Sequence, residues 1–381
     1  VIAYTTSEKS YTVEDSDSLS AGTYYCHCCA KNDGEYGSYG ESALFTISEL
    51  GSDSPNPIKS AEELVYISDN FTSNADFRSY DYILENDIDM DGVSFSSLGD
   101  QNYKYTGTFD GNEKEISNLT IGTSTTTEAY QGFFANADGA VIKNLTLNNV
   151  DIHGGDKVGG LLGKGSNCHI SGCTVLGEVS GGDFVGGLAG YLGSKKSGYD
   201  ETVINCSSKC IVTGTSDVGG LVGKVESVVF DSCYSETALV KGSTIGGFIG
   251  RDDTSSTVSN CYSISKLSET TGTYAGGFLG ISTSSSSYSN CYAVTEDSDS
   301  SATIMGFIGA NTSSASFSDC YYDGTLCADG DAASSGVAAL STSQMKDSSN
   351  YSGWTFSDDY WSIDNSETTN NGYPYLSLNQ P

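Results

Sequence analysis

The chain has 381 residues, 37% of them hydrophobic, and its 49 acidic against 17 basic side chains give a formal net charge of −32. That charge repels phosphate backbones and anionic head groups, which excludes nucleic acid and membrane surfaces as natural partners, and no stretch reaches the roughly 18 apolar residues of a membrane span. With 46 Gly, 25 Tyr and only 4 Pro, the composition favours many short strands and tight turns over a disordered linker, so an all-β fold is expected.

Residues 1–50 open the chain with strands separated by polar turns. The run DSLSAGTYYCHCCAKN followed by SALFTI resembles the last strands of an immunoglobulin-like β-sandwich. In that fold a tyrosine two positions before the second core cysteine anchors a corner, which matches Tyr24 and Cys26. About 50 residues is half of such a domain. Either the chain is a piece of a longer protein, or a neighbouring subunit completes the sheet by strand addition. The first residue is Val1 and not a start methionine, so any signal sequence is expected to have been removed or to lie outside these residues, and secretion is inferred rather than read. GSDSPNP, residues 51–57, has linker composition.

From residue 58 onward the reading is a parallel β-solenoid of about eight coils: an opening cap over 58–115, coils over 116–320 and a closing cap over 321–377. In the opening segment DIDMDG aligns Asp87, Asp89 and Asp91 before Gly92, as a calcium loop does, but the twelfth position is Leu98 instead of a bidentate acid. An edge strand explains the alternation with Ile88 and Met90 as well.

One short pattern then recurs eight times at spacings of 26 to 33 residues: ISNL, IKNL, ISGC, VINC, FDSC, VSNC, YSNC and FSDC. Its apolar leaders are Ile116, Ile142, Ile170, Val203, Phe230, Val258, Tyr288 and Phe317. A second motif interleaves at the same period, as QGFFA, VGGLLG, VGGLAG, VGGLVG, IGGFIG, AGGFLG and IMGFIG. Two motifs with one period define one repeated unit. Each unit is too short and polar to fold alone, but stacking buries its apolar positions against the next. Coils one strand spacing apart, about 4.8 Å, make a rod roughly 35 to 40 Å long, and the crossover rule favours a right-handed coil.

In this scheme the leaders point inward, and Asn118, Asn144, Asn205, Asn260 and Asn290 form a buried column whose amides bond along the stack. Burial there would withhold the glycosylation sequons at Asn118, Asn144 and Asn205. Cys173, Cys206, Cys233, Cys261, Cys291 and Cys320 fall in one column. A thiolate ladder for a soft metal is one reading. Small buried apolar residues, in the place that Leu119 and Leu145 take in the first coils, are the plainer one. With only His27, His153 and His169 in the chain, zinc-type Cys and His pairs are absent. Cys168 with Cys173, Cys206 with Cys210, or Cys320 with Cys327 could close local disulfides.

The GLLG, GLAG and GLVG cores at Gly160, Gly187 and Gly220, followed by NCYS-like segments, resemble the GLUG motif of bacterial surface proteins, including adhesins and non-catalytic parts of immunoglobulin A-cleaving metallopeptidases. SAEELVYIS from Ser60 and GTFDGNEKEISNLTI from Gly107 are similar to the usual start of such arrays. CYYDG from Cys320, WSID from Trp361 and NNGYPYL from Asn371 are similar to their end. The sequence departs from the pattern at GFFA and at Met305, where glycine is usual. The resemblance implies a surface location and a binding or spacer role.

No metallopeptidase, hydrolase-elbow or phosphate-loop motif is present. Asp156, Asp183 and Asp217 precede the glycine motif and could form a carboxylate row for glycan cleavage, or satisfy turn donors. The expected function is therefore a non-catalytic extracellular adhesin or stalk without cofactors, whose partners are other copies of itself or a host or glycan ligand. The alternatives are a filament subunit and a carbohydrate-active β-helix enzyme.

Overall fold

A computed structural model of the protein describes residues 55–193, 201–297, 303–333, 335–357 and 360–377, except positions 365 and 367 and the side chains at 238, 269–273 and 297. Ahead of residue 55 it describes the backbone of four strands. The chain divides into two compact units, Val1–Asn56 and Pro57–Pro381.

In the first unit Gly22–Cys26 runs antiparallel to Ala43–Ile47, with Tyr24 opposite Phe45 and Cys26 opposite Ala43. Lys31–Asn32 pairs antiparallel with Glu35–Tyr36. The corner role expected of Tyr24 and Cys26 belongs to side chains outside the described residues, and so does most of the 51–57 linker.

The second unit is a parallel β-solenoid of about nine turns. One ladder joins Tyr82, Phe109, Ile142, Ile170, Val203, Phe230, Val258, Tyr288 and Phe317 in register. All nine are buried, and each such side chain withdrawn from water is worth roughly 1.5–3 kcal/mol. Seven strands from Phe134–Asp138 to Ile308–Asn311 stack into a second wall. Between the walls runs a spine of Leu161, Leu188, Leu221, Phe248, Phe278 and Phe307, all fully buried. The three phenylalanine rings stack at 4.6 and 4.8 Å, one strand spacing apart.

Ile116 does not belong to the leader ladder. Its partners are Ile88 and Leu147, and the position opposite Ile142 is Phe109. The cause is a bulge between Asp110 and Lys114, where Asn112 and Glu113 take left-handed φ of 51° and 59°. The extra residues delay the ISNL segment by one strand, so its short spacing of 26 to the next leader is not the structural period. Asn118 accordingly stacks on Asn149, whose Nδ2 donates to Asn118 Oδ1 at 2.7 Å. Leu119 directly precedes the short strand Thr120–Ile121, which pairs with Asp151 and Ile152.

The column that does turn the corner is Asn144, Gly172, Asn205, Ser232, Asn260, Asn290 and Asp319, every member with φ between 51° and 60°. Left-handed backbone costs most L-residues about 1–2 kcal/mol, and Gly, Asn and Asp least. Backbone shape thus selects these residues more than amide pairing does. Asn290 donates to Asn260 at 3.2 Å, but Asn260 and Asn144 donate to Asp231 and Asp110. Of the five asparagines expected to be buried, only Asn260 is; the others are half-exposed.

The next residue of each turn is Leu145 and then the six cysteines, all at most 1% exposed. The backbone N–H groups of Cys173, Cys206 and Cys233 each donate to the sulfur one turn on at 3.4 Å. Every cysteine from Cys168 to Cys327 is a free thiol, so none of the three local disulfides forms. Cys168 belongs to a different column, before His169, and Cys210 lies within the strand Ser207–Thr213.

The glycine pairs serve close approach, since neither member has positive φ. A Cβ on Gly220 would lie 2.1 Å from Gly247 O and 2.2 Å from Ser235 Oγ, and one on Gly187 would lie 1.9 Å from Ser208 Oγ. The solenoid is one side chain thick at this level. Met305 keeps the register of Gly276, and after it Gly306 N–H donates to Gly330 O at 2.8 Å.

The chain end folds back along the flank of the coils. Tyr234, Tyr262 and Tyr292 stack at 4.8 and 5.0 Å, and Trp361 packs 6.0 Å from each of the last two. Tyr292 donates to Pro374 O, and Asn260 Nδ2 donates to the Tyr360 hydroxyl. Residues 360–377 buttress the side of the array.

Candidate functional site

The residue ahead of each glycine pair forms a second left-handed corner. Gln131, Val158, Val185 and Val218 are in register, so the residues before them, Tyr130, Lys157, Phe184 and Asp217, form one column. Their φ values are 65°, 62°, 62° and 51°. The Asn144 corner meets the same demand with Asn, Gly, Ser and Asp, whereas here three of four residues are bulky, for which positive φ is a genuine outlier.

Beside this corner the seven-stranded wall carries the row Asn136, Lys164, Tyr191, Lys224 and Arg251 in register, with Asn136 and Tyr191 buried and the three cations part-exposed. Lys157 Nζ stands over the Tyr130 ring at 4.9 Å and the Phe184 ring at 5.4 Å. Lys224 Nζ stands over Phe184 at 5.3 Å and Tyr191 at 5.9 Å, and Lys164 Nζ over Tyr191 at 5.6 Å. Phe184 and Tyr191 meet edge to face at 6.4 Å. Cations and rings therefore alternate over successive turns.

Carboxylates complete the strip. Lys224 pairs with Asp253 at 2.6 Å and Glu226 at 3.3 Å, and Arg251 with Asp253 at 2.7 Å and Asp217 at 3.8 Å. Burial opposes the charge on Asp253, but hydrogen bonds from Lys224, Arg251 and Thr283 outweigh it and lower its pKa. Asp217 is more deeply set, and burial raises its pKa against the pull of Arg251 and Lys224. Tyr191 is raised by burial and by the Glu226 carboxylate.

Magnitudes separate two accounts of this strip. A half-exposed cation–π contact contributes about 0.5–1 kcal/mol, while each bulky left-handed residue costs about 1–2 kcal/mol. The internal stack at best cancels the strain of the corner. Strain held without an internal return is characteristic of functional positions.

The aspartate row resolves differently. Asp183 N–H donates to Asp156 Oδ1 at 2.9 Å, but the residue opposite Asp183 on the next turn is Ser216, and Asp217 lies one position further, under Phe184. Asp87 and Asp89 accept from Glu115 N–H and Asn118 Nδ2, as turn and edge residues do. Among the described residues Glu201 and Asp252 are acids with no exposed surface: Glu201 Oε1 is beside Gly165, near Leu162 and Leu192, and Asp252 accepts from Tyr288 and Ser256.

Apart from Asp217, none of the strip residues stands out in the linear motif, where the position before the glycine motif varies as Y, K, F and D. The available signal is that a turn position repeatedly lacks the small residues a turn demands.

No protein-family model matches the chain. A crystal structure from Bacteroides ovatus, provisionally named an immunoglobulin A1 protease, superposes with a TM-score of 0.61 at 22% identity, covering 86% of this chain and 93% of that one. That likeness is one of fold. A structure named IgA1 Protease covers 81% of this chain and 24% of its own length, with a TM-score of 0.48 at 14% identity. Halomucin of Haloquadratum walsbyi is 33% identical over 135 residues, 32% of this chain. The match spans 2% of halomucin's length.

Proposed function

We propose that this chain is a non-catalytic part of an extracellular surface protein, a solenoid that displays rows of side chains for binding. The observation that carries the reading is the strained corner of Tyr130, Lys157, Phe184 and Asp217 beside the row Lys164, Tyr191, Lys224 and Arg251. A spacer has no use for such a surface. The fold shared with the Bacteroides ovatus chain and the partial likeness to halomucin support a place outside the cell, and the GLUG-like motifs support the same reading. Peptidase activity belongs to the proteins that carry that name. Glycan cleavage loses its main support once Asp217 leaves the aspartate row.

Immunolabelling and protease shaving of intact cells test the location, with surface exposure expected and a purely internal pool contradicting it. Negative-stain imaging of the isolated protein separates display from assembly. Discrete particles support an adhesin or stalk, and ordered polymers support a filament subunit built by strand addition.

A further inference from the structure

We infer that the strip formed by Tyr130, Lys157, Phe184, Tyr191, Lys224 and Arg251 binds an uncharged polysaccharide running along the solenoid axis. This rests on the display reading and names its ligand class. Three observations carry it. First, two corners of the same turns make the same left-handed bend, and only this one does so with Tyr, Lys and Phe. Side chains that could be Asn or Gly at lower cost are kept for what they touch.

Second, the charge is local and balanced. The chain carries 49 acids against 17 bases, yet the strip sets Lys157, Lys164, Lys224 and Arg251 against Asp217, Glu226 and Asp253. A polyanion would meet those carboxylates as well as the net charge of −32. A hydroxyl group both donates and accepts, so it matches adjacent ammonium and carboxylate groups without breaking their pairing. Tyr130 and Phe184, part-exposed beside them, suit the C–H groups of a sugar, because aromatic side chains offer apolar contact next to polar groups.

Third, the rows repeat once per turn, about 4.8 Å, close to the advance of one pyranose in an extended chain. An extended polymer can therefore place successive sugars on successive turns.

The test uses the full chain in affinity electrophoresis and calorimetry against xylan, dextran and galactomannan, with heparin and alginate as polyanions. Phe184→Asn and Tyr130→Asn are the informative variants, because asparagine accepts the left-handed bend. Binding of at least one neutral polymer is expected, weakened tenfold or more in each variant, with the melting temperature kept or raised. Hydrogen exchange on the unaltered protein serves as a second readout, with protection expected at residues 184–193 and 222–226. Failure of every neutral polymer to bind, equal binding by the variants, a footprint elsewhere, or binding of polyanions alone overturns the assignment. None of these outcomes alters the surface-labelling result, so the display reading stands or falls separately.

Discussion

The hydroxyl of Tyr288 donates to Asp252 Oδ2 at 2.5 Å, and both side chains are buried. Tyr288 is a leader of the apolar ladder, while Asp252 follows Leu192 and Val225 in its own row. A single carboxyl in an apolar row has drawn in partners, since Ser256 Oγ also donates to it at 3.1 Å. Tyr288→Phe strips a donor from a buried acceptor and is expected to cost about 1–3 kcal/mol. Adding Asp252→Leu removes the stranded acceptor and should restore part of the loss. Urea titrations of the two variants check this, and a double variant weaker than the sum of its parts would contradict it.

The buried acids give stability a pH dependence of definite sign. Burial pushes Glu201 up to about 8 and Asp252 up to about 6. In both cases the folded state holds a proton that the unfolded chain has already released. Their contribution to stability is therefore full near pH 4 and is lost as pH rises through about 6 for Asp252 and about 8 for Glu201. Glu201→Gln removes the larger contribution and should gain on the order of 2–4 kcal/mol at pH 7, with a flatter profile between pH 5 and 8. Denaturant midpoints across that range measure it. A wild-type midpoint that rises with pH would refute the assignment.

Both glycines of each pair are predicted to resist replacement, since a Cβ on Gly219 would lie 2.0 Å from Val222 O and one on Gly246 1.9 Å from Ile249 O. Gly220→Ala forces a Cβ to within 2.1 Å of Gly247 O, backbone held by the next turn. A loss above about 3 kcal/mol, or failure to fold, is expected. Gly139 has φ +73°, and a Cβ added there would meet no atom within 4 Å, so Gly139→Ala should cost only about 1–2 kcal/mol. Midpoints that rank the two the other way would mean that the array yields at its glycine level.

The cysteine column is predicted to be chemically silent. Within the column burial raises the thiol pKa values of Cys206, Cys261 and Cys320, hydrogen bonds from neighbouring cysteines outweigh burial and lower those of Cys233 and Cys291, and all six thiols lie within the core, closed to a reagent. Iodoacetamide followed by peptide mapping should leave the positions from Cys168 to Cys327 unlabelled until denaturant is added. Native labelling at Cys233 or Cys261 would indicate that the ladder opens.

The period, the strand composition and the inward leaders from Ile142 onward are legible in the sequence because stacking repeats one burial problem in every turn. Ile116 is not, because the Asp110–Lys114 bulge changes the register without changing the motif. The corner of Tyr130, Lys157 and Phe184 is hidden for another reason: motif reading rewards constancy, and this site consists of residues that differ from turn to turn on a constant backbone. Trp361 reads in sequence as part of a closing cap, yet its contacts reach back to Tyr262. Sequence order says nothing of a segment's return path.

That return path makes the last prediction local. Trp354 and Trp361 are the chain's two tryptophans, and their rings lie 4.4 Å apart over the tyrosine stack. Trp361→Ala uncovers Tyr262 and Tyr292 and should cost about 3–5 kcal/mol. In a solenoid each turn answers chiefly to its neighbours, so the loss falls on the returning segment before it reaches the ladder. Trp354 emission in the variant should shift to the red at lower denaturant than the loss of strand signal by circular dichroism. In the unaltered protein the two transitions should lie closer together. Coincident transitions in the variant would mean that the segment is integral to the ladder's cooperativity, and that the flank and the coils melt as one body.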